Sequence, residues 1–254
     1  MLAASLLFLP GRALSDATGA TVRAAPVESF RPVDLTVPHR VAQAATSRRP
    51  SRPRPALVVR ITSDRPITAR PGGGRTLGLM PSSSRYIHQS MSAWVLETTA
   101  GGRYGRVTLP FSGLSNATGW ISLKGLPATH SPYSVLVDLS KHRITVLRRG
   151  RAMFSFAAAT GAPASPTPPG RYFVTDRVSV YVGSPFGSFA FGISGLQTQL
   201  PPGWGGGNQL AIHGTNSPSS IGRSASAGCV RVSEAALARL KPLLQPGTPV
   251  VIEP

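Results

Sequence analysis

The chain has 254 residues, room for one or two domains with real cores, and its 27 Gly, 25 Pro and few aromatics favour short strands and turns over long helices. Lys and Arg number 27 against 9 Asp and Glu, a formal net charge of +18, so the surface is suited to a polyanion. The absence of an Arg-clustered helix or of basic–aromatic interleaving speaks against specific nucleic-acid recognition, and a single cysteine, Cys229, excludes an internal disulfide.

In chain order, residues 1–15 come first. Leu2 to Pro10 is an apolar run followed by Ala13-Leu14-Ser15, the pattern of a secretory signal and its cleavage site. The run is shorter than the roughly 20 apolar residues a bilayer span requires, so the expectation is an exported, extracytoplasmic protein without a transmembrane anchor. Residues 16–55 read as a Pro/Arg-rich linker: Val41 to Pro55 mixes Pro, Arg and small residues with no apolar period, and such a segment buries too little surface to offset its chain entropy.

Residues 56–130 read as a first compact β unit. Leu57 to Ile61, Ser92 to Leu96, Tyr104 to Leu109 and Gly119 to Leu123 are short β-rich runs, with Pro71 to Gly74 as a loop. The segment resembles the bacterial SH3-like modules that precede cell-wall enzymes, with Gly119-Trp120-Ile121 as the recognisable piece and Trp120 expected in the core of a small SH3-like β-barrel.

Residues 131–254 form the second unit. Tyr133 to Asp138 and Arg143 to Leu147 make a hairpin, and Ala152 to Phe156 follows the Arg149-Gly150 turn. A Pro/Thr/Ser loop (Pro163 to Gly170) leads to strands at Arg171 to Thr175 and Val178 to Val182. After a long Gly-rich loop from Gly195 to Asn208, Gln209 to Ile212 delivers His213 at a strand end. Ser233 caps one helix whose apolar stripe is Ala236, Leu237, Leu240, Leu243 and Leu244, and Val250 to Ile252 is a last strand. The expected fold is mostly β: a mixed β-sandwich with one packed helix.

The chemistry concentrates near the C-terminus. Cys229 lies in Ser226-Ala227-Gly228-Cys229-Val230-Arg231, sixteen positions after His213. A thiol with an imidazole folded against it is the minimum equipment for nucleophilic acyl transfer. Cys229 is too far from the helix start for the dipole to ionise it, so the help must come from His213 as base. No Asp or Glu occurs between Asp176 and Glu234, so a backbone carbonyl, most simply that of Gly214, is expected to fix the imidazole tautomer. Gly228 lets the backbone bend, with the amides of Gly228 and Cys229 as candidate oxyanion donors. His39, His88, His130 and His142 show no partner pattern. One cysteine and one nearby histidine fall short of a zinc ligand set, so no metal or cofactor is expected.

Ile212-His213-Gly214-Thr215-Asn216-Ser217 with Ser226 to Arg231 resembles the L,D-transpeptidase catalytic domain, the YkuD family; Gly161 and Thr167-Pro168-Pro169-Gly170 are similar to that family's Thr-Pro-x-Gly turn. The resemblance covers the C-terminal half of the chain. It implies a peptidoglycan L,D-transpeptidase in which Cys229 attacks the third residue of a tetrapeptide stem, D-alanine leaves, and an amine on a neighbouring stem resolves the thioester into a 3→3 cross-link. Ser226, Thr215 and Arg231 match positions that line the site. Arg231 has two readings, a bidentate partner for a substrate carboxylate or a structural ion pair. The chain departs from many members in carrying Ala227, not His, before Gly228-Cys229. The implied partners are stem peptides, anionic wall polymers through charge, and carbapenems as covalent inhibitors. Two other readings use the same residues or charge: an L,D-carboxypeptidase in which water resolves the thioester, and a non-catalytic cell-wall-binding protein.

Overall fold

The computed structural model describes residues 55–181 and 183–254; the signal-like segment, His39 and the linker through residue 54 lie outside them, as does Val182. The described residues are mostly β, with one α-helix and a single 3-10 turn at Pro218–Ser220.

The N-terminal part holds eight strands: β1 (Ala56–Arg60), β2 (Arg65–Arg70), β3 (Gly73–Met80), β4 (Ser92–Val95), β5 (Glu97–Thr98), β6 (Tyr104–Thr108), β7 (Thr118–Ser122) and β8 (Ala128–Ser131). They form a three-stranded sheet, β4-β1-β8, and a five-stranded sheet, β3-β2-β7-β6-β5. Val59, Ile67, Met80, Val107 and Ile121 are buried in their shared core. Two expectations need correction. Gly73 and Gly74 belong to β3, because Pro71-Gly72 alone makes the hairpin turn, with Gly72 at φ 77°. Trp120 is not in the core: period-2 alternation turns Gly119 and Ile121 inward and leaves Trp120 half-buried on the other face, opposite Thr68 and Arg106.

The C-terminal part is an eight-stranded mixed sheet built from β9 (Tyr133–Asp138), β10 (Arg143–Arg148), β11 (Arg151–Ala157), β13 (Gly170–Ser179), β14 (Phe189–Leu196), β15 (Gln209–His213), β17 (Val230–Arg231) and β18 (Pro249–Glu253), with β12 (Thr160–Gly161) and β16 (Ser224–Ser226) paired beside it. The order is β11-β10-β9-β18-β13-β14-β15-β17, parallel at β9–β18 and β15–β17 and antiparallel elsewhere. Val135, Val137, Ile144 and Val146 alternate into the core from the first hairpin. Its turn is pinned by Asp138, whose Oδ1 accepts from Ser140 Oγ at 2.7 Å and the Lys141 N–H at 3.0 Å. Helix α1 (Glu234–Leu240) starts where Ser233 Oγ accepts the Ala236 N–H, a cap worth about 1 kcal/mol, and stops before Pro242. Its Ala236, Leu237 and Leu240 are fully buried against the sheet.

Two strands expected at Arg171 to Thr175 and Val178 to Val182 are one bulged ten-residue strand, β13. The Asp176-Arg177 pair does not break it because hydrogen bonds hold it in the strand: Thr175 and Gln209 donate to Asp176 Oδ2, and Gln89 bonds both backbone groups of Arg177, at 3.0 and 3.1 Å. Likewise Gly195 and Leu196 continue β14, so the long loop begins only at Gln197. Phe173 of β13 turns away from its own sheet into the N-terminal core, where it is fully buried. Burial of such a ring contributes about 1.5–3 kcal/mol, and with Gln89 it ties the N-terminal strands to the strand that carries Asp176.

Candidate active site

His213 ends β15, between β14 and β17, with its carbonyl accepting the Val232 N–H at 2.8 Å. Along this strand Leu210 and Ile212 pack in the core, while Gln209, Ala211 and His213 line a cavity of about 420 Å³. His213 Nδ1 lies 2.5 Å from the Gly214 carbonyl oxygen. A carbonyl only accepts, so Nδ1 carries the proton and Nε2 holds the free lone pair. Burial pushes the imidazole down to about 4; the Gly214 bond opposes this and the Arg231 charge adds to it. Phe186 stands edge-on to the ring at 5.0 Å between centroids, part of the packing that desolvates it. At neutral pH His213 is therefore an uncharged base with a fixed tautomer.

Cys229 sits at the tip of a loop between β16 and β17 that is held from several sides. Ser226 Oγ donates to the Cys229 carbonyl and accepts the Gly228 N–H at 3.1 Å. Thr167 Oγ1 donates to the Gly228 carbonyl at 2.8 Å and accepts the Gly161 N–H at 2.7 Å. Gln197 Nε2 donates to Pro166 at 2.9 Å and packs where a Gly228 side chain would stand. Gly228 has φ 115°, so only glycine fits without both backbone strain and collision with Gln197.

The Cys229 side chain is half-buried and faces the same cavity as His213. Its sulfur lies 4.0 Å from the Gln209 carbonyl. Burial pushes the thiol above its ordinary value, with an Ala211 backbone hydrogen bond and the Arg231 charge pulling the other way. The resting pair is thus a neutral thiol and a neutral imidazole, both open to one cavity, and no hydrogen bond links them among the described residues.

The other anticipated residues divide. Arg231 lines the cavity half-buried, its Nε has no hydrogen-bond partner, and no carboxylate pairs with it among the described residues. Its reading as a structural ion pair is therefore set aside. Of the two amides considered for an oxyanion, that of Gly228 is already spent on Ser226 Oγ, and that of Cys229 has no partner among the described residues. Ser226 borders the cavity but is only 4% exposed, and both contacts of its hydroxyl go to the loop itself. Thr215 does not line the cavity; its Oγ1 accepts the Ser217 N–H at 3.0 Å. Sequence reasoning missed Gln197, Asp176, Tyr86 and Ile87, which all line the cavity, the last two from the N-terminal part. No cluster of three or more His, Cys, Asp or Glu side chains suited to a metal ion occurs among the described residues.

The family model for the L,D-transpeptidase catalytic domain, YkuD, matches residues 132–252. The YkuD protein of Bacillus subtilis (strain 168) is 29% identical over 133 residues, covering 52% of this chain and 73% of its own length. That of Bacillus licheniformis is 30% identical over 123 residues, 48% of this chain and 67% of the relative. Among solved structures, an L,D-transpeptidase from Mycobacterium smegmatis aligns over 64% of this chain and 90% of its own, with a TM-score of 0.41 and 16% identity. A mostly β fold with His213 and Cys229 on one cavity, the motif-bearing half matched from end to end, and a relative at 30% identity place this chain in the YkuD family of L,D-transpeptidases.

Proposed function

We propose that this chain is an exported peptidoglycan L,D-transpeptidase that forms 3→3 cross-links through a thioester on Cys229. What supports this reading above all is that Cys229 and His213 open onto one cavity, with Nδ1 tied to Gly214 so that Nε2 is free to take a proton.

With both groups neutral at rest, the proton moves during attack and not before it. Cys229 Sγ bonds to the carbonyl carbon of the third stem residue as its proton passes to His213 Nε2. The Cys229 N–H, without a partner among the described residues, faces the developing oxyanion, and Arg231 supplies positive charge nearby. Collapse breaks the amide bond, and His213 returns the proton to the departing D-alanine amine. An acceptor amine on a second stem then attacks the thioester and gives its proton to His213, and Cys229 leaves as a thiolate that recovers it. Arg231, charged and without a carboxylate partner among the described residues, is suited to a carboxylate of the stem. Ser226 acts as a positioning residue for the loop.

The net charge of +18 supports association with anionic wall polymers, which would concentrate the enzyme on its substrate. Residues 56–130 are assigned in this reading to an SH3-like module ahead of a catalytic domain at 131–254. Incubation with tetrapeptide stems and mass analysis of the products tests the reaction. A cross-linked dimer with free D-alanine supports transpeptidation; a trimmed tripeptide alone would reassign the chain as an L,D-carboxypeptidase, and no turnover would leave it a wall-binding protein.

A further inference from the structure

Asp176 is the only carboxylate among the described residues that lines the cavity, and it is 4% exposed. Its Oδ2 is fully engaged, accepting from Thr175 Oγ1 at 2.7 Å and Gln209 Nε2 at 2.9 Å. Its Oδ1 is buried and has no hydrogen-bond partner among the described residues. A buried carboxylate oxygen left unpaired is costly, and in a residue that lines a cavity it invites a donor from outside the fold.

The register fixes where that donor must come. Asp176 on β13 pairs with Gly192 on β14, which pairs with Ala211 on β15. Ala211 lies on the same strand as Gln209, whose carbonyl is 4.0 Å from the Cys229 sulfur. Gly192 has no side chain, and a Cβ there would lie 2.6 Å from Asp176 Oδ2 and 2.7 Å from Gln209 Nε2, so the two meet above it. Asp176 is thus two strands from the strand under the sulfur, about 10 Å between backbones. The cavity's cation, Arg231, is not paired with it, and the wall around it is apolar, with Val178, Val180 and Leu200.

We infer that Asp176 Oδ1 receives the side-chain ammonium of the donor stem's third residue, making Asp176 the group that selects stems by the charge at the end of that side chain. This rests on the transpeptidase reading above. The attacked carbonyl must lie within bonding reach of Sγ, and the third residue's side chain starts one carbon away. A side chain of lysine or diaminopimelate length that crosses the floor over Gly192 brings its ammonium to Asp176. The acceptor amine, by contrast, must reach the thioester carbon itself and stays beside the sulfur. An ammonium there replaces the missing partner of Oδ1 with a charge-assisted hydrogen bond in an apolar surround.

The test uses the full chain and two donor tetrapeptides identical except at the third residue, lysine in one and norleucine in the other, with D-alanine release as the readout. Wild type is expected to favour the lysine peptide in kcat/KM by about 10- to 100-fold, and Asp176→Asn to bring the ratio near one. A merely structural role for Asp176 would lower both rates together and keep the ratio. A wild-type ratio of one overturns the inference and leaves the transpeptidase reading intact, with no variant needed. A lysine preference that survives in Asp176→Asn also overturns it. If neither peptide releases D-alanine while a carbapenem still acylates Cys229, the transpeptidase reading has failed and the inference falls with it.

Discussion

Thr167 donates a 2.8 Å hydrogen bond to the carbonyl of Gly228, sixty-one positions further along the chain. Through the same oxygen it accepts the Gly161 N–H, so one buried hydroxyl sets the backbone on which Cys229 is mounted. Thr167→Val keeps the shape and removes both bonds. It is expected to cost about 1–3 kcal/mol of stability and to slow acylation of Cys229 by a carbapenem at least tenfold at a temperature where the variant is folded. Thermal unfolding and stopped-flow acylation, measured on the same sample, check the two effects; unchanged acylation would show that the loop keeps its geometry without Thr167.

Gly228→Ala is expected to be more damaging. Its φ of 115° is a strained region for any side chain, and the added methyl would meet the Gln197 amide. The expected result is a loss of a few kcal/mol in chemical denaturation. Gly228→Ala combined with Gln197→Ala relieves the collision but not the φ strain, so it should regain only part of that loss.

His213 carries the pH dependence. Its pKa falls to about 4 in the folded protein from an ordinary 6.5, so the base stays neutral and active down to about pH 4. The acid limb of carbapenem acylation is expected near pH 4 and not near 6.5; a limb near 6.5 would mean the imidazole is solvated during the reaction. Stability has a matching sign. Below 6.5 the unfolded chain takes up a proton that the folded chain refuses until about 4. His213 therefore leaves stability intact above 6.5 and lowers it progressively as the pH falls toward 4, by up to about 3 kcal/mol. The difference between wild type and His213→Gln in denaturant titrations across this window isolates the contribution.

Attraction to the wall is expected to be electrostatic. Co-sedimentation with purified cell walls should weaken steadily between 50 mM and 500 mM NaCl as charges are screened, and Cys229→Ala should pellet like wild type. Binding that ignores salt would contradict a role for the +18 charge.

Much of the frame was legible in the sequence because local patterns decide it. The hairpin at Tyr133–Asp138 and Arg143–Arg148 shows clean alternation, and Ser233, the leucine stripe and Pro242 bracket α1. Legibility failed where tertiary partners override local signals. Asp176-Arg177 looks like a strand break, yet Gln89 and Gln209 from distant segments bond the Arg177 backbone and Asp176 Oδ2 inside a continuous strand. Trp120 is apolar enough for a core, but the glycine before it and the isoleucine after it take the inward positions. At the site, Cys229, His213 and Gly214 stand close in sequence and in a recognisable pattern. Asp176 reaches the cavity only through sheet register and Gln197 through the loop that follows β14, and nothing in their own neighbourhoods marks them. The engagement of the Gly228 amide by Ser226 depends on a two-residue turn whose geometry no pattern specifies.

The measurement that bears most directly on Cys229 as the nucleophile is intact-protein mass spectrometry after incubation with a carbapenem. Wild type is expected to gain the mass of one carbapenem, located by peptide mapping to Cys229, while Cys229→Ala gains none and His213→Gln acquires the adduct far more slowly. An adduct that persists in Cys229→Ala, or its absence from folded wild type, would contradict the account.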